Sequence, residues 1–78
     1  MSSTIEGEIS VCAHNVSYWY NLEEGDPEET AEMREVLEEH AEERTREMIV
    51  QGYTSGELNC LYVIEQEDWE IRGGWKIE

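Results

Sequence analysis

Glu8-Ile9-Ser10-Val11-Cys12-Ala13-His14-Asn15-Val16-Ser17-Tyr18-Trp19-Tyr20-Asn21-Leu22 is the stretch whose reading decides the fold. It is rich in β-branched and aromatic residues, the composition of a strand. Ile9, Val11 and Ala13 share one parity, whereas Val16, Tyr18 and Tyr20 take the other. Strand side chains alternate faces, so a switch of parity needs either an inserted residue or a reversal of the chain. A bulge near His14 and Asn15 keeps one continuous strand; a tight turn at the same place makes two. The expectation is the bulged single strand, with residues 1–7 as a loose, flexible polar lead.

Downstream, Glu23-Glu24-Gly25-Asp26-Pro27 reads as a loop entering a helix. Asp26 fits the N-cap, Pro27 the first helical position and Glu29 the third, a capping-box arrangement. The helix is expected to run to about Val50, with Gly52 as its C-terminal cap and Arg44 and Arg46 suiting the dipole in its last turns. Leu58 to Ile64 reads as a strand with a dense apolar run, and residues 65–68 as a hairpin turn. In the last strand Trp69, Ile71, Trp75 and Ile77 alternate with Glu70, Arg72, Lys76 and Glu78. Gly73 and Gly74 interrupt that strand and predict a kink or a close backbone approach. The expected fold class is α+β, order β-α-β-β: one long helix on a three-stranded antiparallel sheet, a single domain over 1–78.

The chain has 78 residues, 20 of them acidic and 5 basic, for a net charge of −15. Eighteen of the acids are Glu, and Lys76 is the only lysine. Such a chain repels nucleic acid and anionic membranes and is steered toward basic surfaces. Seven aromatic residues argue against a disordered chain. No apolar run reaches transmembrane length, and the first residues lack the basic and apolar regions of a signal peptide. The expected setting is therefore cytoplasmic, with Cys12 and Cys60 as reduced, buried strand thiols.

On a helix at 100° per residue, Thr30, Met33, Leu37, Ala41, Arg44 and Met48 form a core stripe with His40 at its edge. Opposite them lie Glu28, Glu32, Glu35, Glu39 and Glu42, one line of carboxylates spanning ~21 Å. Glu38, Glu43 and Glu47 thicken it. Neighbouring carboxylates on such a line are ~5–6 Å apart, the scale of phosphates along a nucleic-acid strand. The bland reading is a solvated helix face or an acidic, salt-adapted surface. The sharper one is a row of anions that occupies a basic groove, a DNA mimic. Trp19 is expected to be the exposed ring among Tyr18, Trp19 and Tyr20, and so a partner-binding anchor.

Other constellations are weaker. Cys12, His14, His40 and Cys60 have the composition of a zinc site without finger or ribbon spacing. Glu23-Glu24-Gly25-Asp26 lacks EF-hand ligand spacing. General acid–base chemistry needs carboxylates held in contrasting environments within a pocket, for which a one-helix domain offers little room. No enzyme activity, metal or cofactor is expected.

Gly52-Tyr53-Thr54-Ser55-Gly56-Glu57-Leu58 and Ile71-Arg72-Gly73-Gly74-Trp75-Lys76-Ile77 resemble the C-terminal third of small acidic proteins encoded by phages and prophages, which share a Gly-Tyr-Thr-Ser-Gly-Glu-Leu segment and an Arg-Gly-Trp-Trp ending. Gly74 departs from that ending, standing in place of its first tryptophan. The resemblance implies a phage or mobile-element origin and carries over no site residues. In type, though not in motif, the chain is similar to small acidic inhibitors of host defence. The expected function is that of a non-enzymatic binder whose partner is a basic protein, such as a nucleic-acid-binding protein. The alternative is a small assembly protein, a homodimer, whose acidity serves solubility.

Overall fold

The computed structural model describes residues 3–78. Its elements are β1 (Ser3–Val11), β2 (His14–Leu22), α1 (Ala31–Val50), β3 (Ser55–Ile64) and β4 (Glu67–Ile77). The chain is α+β, but the sheet has four antiparallel strands in the order β1-β2-β4-β3, not three, and two strands precede the helix instead of one. Residues 3–7, expected as part of a loose lead, belong to β1, and Ile5 is buried. Residues 1 and 2 lie outside the described residues.

The correction turns on Cys12 and Ala13. Both have positive φ (51° and 65°), and Val11 pairs with His14, so the chain reverses in two residues. This is the type I′ geometry whose twist matches that of the flanking strands. A two-residue reversal also explains the parity switch, because residues on one face of β1 and β2 then sum to an odd number: Ile9 opposes Val16 and Ile5 opposes Tyr20. A bulged strand would leave Ile5 without a partner, whereas the hairpin buries it against Tyr20. The second hairpin repeats the device at Glu65 and Gln66, with φ of 48° and 69°. Neither turn contains Gly or Asn, so each residue carries the left-handed penalty of ~1–2 kcal/mol, which strand pairing offsets.

The helix also begins later than the capping pattern predicts. Asp26 is engaged elsewhere: its Oδ2 accepts the Glu23 N–H at 2.7 Å and closes a local turn. Thr30 is the N-cap, and its hydroxyl accepts the Met33 N–H at 3.1 Å. At the other end Gly52 has φ of 99°; its N–H bonds the Ile49 carbonyl while Tyr53 N–H bonds that of Met48. That is a Schellman stop, open to glycine because it has no Cβ to clash. No basic residue lies in the last turn. The buried stripe is Met33, Leu37, Ala41 and Thr45, a strict four-residue step. Thr45, not Arg44, occupies the core; its hydroxyl donates to the Glu42 carbonyl, which satisfies it without charge. Arg44 remains exposed.

The stripe packs on one face of the sheet, against Ile5, Val16, Tyr20, Leu58, Ile71 and Trp75. Trp75 is fully buried, and its Nε1 donates to the Met48 Sδ at 3.1 Å. Cys60 is buried in this core, but Cys12 is exposed in the turn, contrary to the expectation that both thiols are buried. Among the described residues, nothing covers the opposite sheet face.

Gly73 and Gly74 hold β4 in register between its neighbours. A Cβ on Gly73 would collide with the Trp19 carbonyl, and one on Gly74 would stand 2.7 Å from the Trp19 indole. The expected close approach is therefore between β2 and β4.

Two outcomes follow for stability. Replacing Cys12 with Asn and Ala13 with Gly relieves the left-handed penalty and should raise stability by ~1 kcal/mol, read as a thermal midpoint higher by ~4–8 °C. Gly73→Ala should cost ~1–3 kcal/mol through the collision with β2, measured by urea unfolding.

Candidate partner-binding surfaces

The later helix start changes the acidic line. Glu32, Glu35 and Glu39 are exposed on α1, whereas Glu28 lies in the preceding loop. Glu42 is half-buried, and its Oε1 accepts Arg46 Nη2 at 3.0 Å. The line from Glu32 to Glu42 spans ~15 Å instead of 21 Å. Glu28 joins Glu23, Glu24, Asp26 and Glu29 in the loop before α1, near the positive end of the helix dipole, where acids are favoured.

Of the line itself, the helix arginines neutralise only Glu42. Arg34 pairs with Glu29, Arg44 with Glu47, and Arg46 with Glu42. Glu32, Glu35, Glu38, Glu39 and Glu43 have no cationic partner among the described residues. Four like-charge pairs at spacing four fall within the helix (35–39, 38–42, 39–43 and 43–47). At ~0.2–0.5 kcal/mol each, they cost about 1–2 kcal/mol.

Trp19 does not belong to this surface. It is half-buried on the uncovered sheet face, its indole over Gly74. With Glu6, Glu8, Ser17 and Lys76 it lines an open groove of about 400 Å³. The sheet lies between Trp19 and α1, so no single flat partner can touch both.

Sequence reasoning missed a third surface. Leu61 is 63 % exposed and Val63 58 % exposed, both on the uncovered face of β3. The apolar run from Leu58 to Ile64 conceals this, because both of its parities are apolar and only the packing tells them apart.

Beneath the helix, the Tyr20 hydroxyl and His40 Nδ1 are 2.7 Å apart. Tyr20 is fully buried, and burial drives its pKa far above the usual tyrosine value. Burial also lowers the pKa of His40, aided by Arg44; Glu43 and a hydrogen bond to the Asn59 main chain oppose that shift. A neutral ring accepting from Tyr20 and donating to Asn59 satisfies both contacts. Burial raises the Cys60 pKa. Hydrogen bonds from Asn59 and Arg72 lower that of the exposed Glu70.

Among the described residues, no group of three or more His, Cys, Asp or Glu side chains is placed to hold a metal ion. His14 and Cys12 sit at the exposed hairpin end, while His40 and Cys60 lie inside. No helix among the described residues is long and apolar enough to cross a membrane. Comparison with family models, curated proteins and solved structures finds no match to this chain.

The histidine carries a pH prediction. Its folded pKa is below the ordinary ~6.5, so the unfolded chain takes up the proton first. The stability it contributes is complete above that value and is lost as pH falls through it. The thermal midpoint should therefore drop between pH 7.5 and 5.5, and His40→Gln should flatten that dependence.

Proposed function

We propose that this protein is a non-enzymatic acidic binder that offers the outer face of α1 to a basic protein surface. The observation that carries this reading is the set of glutamates at 32, 35, 38, 39 and 43, exposed along one helix while the helix arginines pair with other acids. A helix selected only for stability would place lysines among them. The chemistry that fits such a row is a groove of Lys and Arg side chains, as in nucleic-acid-binding proteins, which makes the helix a nucleic-acid mimic. A net charge of −15 supports fast, steered association with such a partner. A phage or mobile-element origin and a cytoplasmic setting belong to the same proposal. They rest on the C-terminal resemblance and on two free thiols, Cys12 and Cys60.

A second reading, an assembly protein that forms a homodimer, draws on the uncovered sheet face and its unpaired outer strands.

Affinity capture from a lysate at low salt, followed by a salt step, tests the first reading. The retained protein should be basic and should elute as the screening length falls from ~10 Å at 0.1 M salt to ~3 Å at 1 M. Reversing Glu32, Glu35 and Glu39 to Lys should weaken the complex at least tenfold. Retention indifferent to both salt and charge reversal refutes the reading.

A further inference from the structure

Two methionines lie among the described residues, and their sulfurs are placed differently. Met33 is fully buried in the stripe of α1. Met48, in the last turn, is half-buried and packs at the margin of the core. It is tied down at two points. Its main-chain carbonyl accepts the N–H groups of Gln51 and Tyr53, each at 3.0 Å, which closes the helix. Its Sδ accepts the Nε1–H of Trp75 at 3.1 Å, which fastens the end of α1 to β4. An indole N–H can only donate, and that of the buried Trp75 has no other side-chain acceptor among the described residues.

The sulfur also has an open side. Gly56 is registered opposite Trp75, on the face that receives the helix. A Cβ there would stand 3.0 Å from Met48 Sδ and 2.9 Å from Trp75 Nε1, so the missing side chain leaves a notch beside both atoms. That notch belongs to an open groove of about 560 Å³ lined by Met48, Tyr53, Ser55, Gly56 and Glu57.

We propose that Met48 is an oxidation site, where a hydroperoxide entering through this groove converts the thioether to a sulfoxide and releases the end of α1 from Trp75. A sulfur lone pair attacks one peroxide oxygen and the O–O bond breaks. With hydrogen peroxide, that oxygen is transferred to Sδ and the other leaves as water with both protons. The sulfur is oxidised by two electrons and the peroxide is reduced by them. The 3.1 Å between Sδ and Nε1 leaves no room for an oxygen on the line between them. The new oxygen either points into the groove, leaving the N–H on a sulfur depleted of electron density, or takes the N–H itself and drives the sulfur outward. In both arrangements the present Met48–Trp75 contact is lost, and an apolar side chain at the margin of the core has become polar. The site shares no residue with the glutamate row of α1, so the two proposals stand or fall independently.

The test uses the full chain carrying Cys12→Ser, which removes the exposed thiol from the reaction. Hydrogen peroxide is added to the folded protein, and peptide mass mapping follows the added oxygen at each methionine. Met48 should be oxidised at least tenfold faster than Met33. In heteronuclear NMR the Trp75 indole N–H should then shift and exchange with solvent at least tenfold faster. Met48→Leu, which conserves side-chain volume, should abolish the response of Trp75 to peroxide. Equal oxidation of Met48 and Met33 overturns the inference, as does a Trp75 resonance and exchange rate left unchanged once Met48 is oxidised. So does a peroxide response at Trp75 that persists in Met48→Leu.

Discussion

The β2–β4 ladder is the pairing on which the rest of the structure depends. Each hairpin closes through its own two-residue turn, but a lone two-stranded hairpin is marginal in water. Only where Val16 to Asn21 meets Arg72 to Ile77 do the two hairpins become one sheet with a face broad enough to receive a helix. That meeting is sterically tight. Gly73 and Gly74 lie against the Trp19 main chain and indole, and a side chain at either position would force β2 and β4 apart.

The helix crossover follows from this ladder. Because β4 is antiparallel to both β2 and β3, β3 runs parallel to β2, and the chain needs a long connection to return. The 20 residues of α1 supply ~30 Å along a molecule 35 Å in its longest dimension. One stripe of the helix, Met33 to Thr45, meets the sheet, and everything facing away is free of packing constraint. The glutamates occupy that free surface, and the cost of their mutual repulsion is small beside the burial of the stripe. Packing on one side thus gives charge on the other its latitude.

With a single helix, the sheet is covered on one face only. Polar and charged residues occupy most of the bare face, with the Trp19 indole beside Gly74 and Arg72 bonded to Glu70. The exception is the outer end of β3, where Leu61 and Val63 stand among acids. The charge on the helix and the apolar edge on the sheet are separate surfaces, with the sheet between them.

Local chemistry alone determined the alternation of β4, the glycine stop at Gly52, the hairpin near residue 65 and the presence of a long acidic helix, because each rests on neighbours in sequence. It did not determine whether residues 8–22 bulge or turn. The turn at Cys12 and Ala13 has no Gly or Asn to announce it, and what selects it is the pairing of β1 with β2, a gain shared over the whole strand. Nor did it determine where α1 begins. Asp26 and Thr30 both suit a cap, and the choice fell to Thr30 once Asp26 bonded Glu23. Periodicity placed Glu32, Glu35 and Glu39 on the outer face, but it could not show that Trp19 lies across the sheet from them, or that Leu61 and Val63 are bare. Which face of a strand is covered depends on how many layers the fold has and where its one helix rests, and only the tertiary structure decides that.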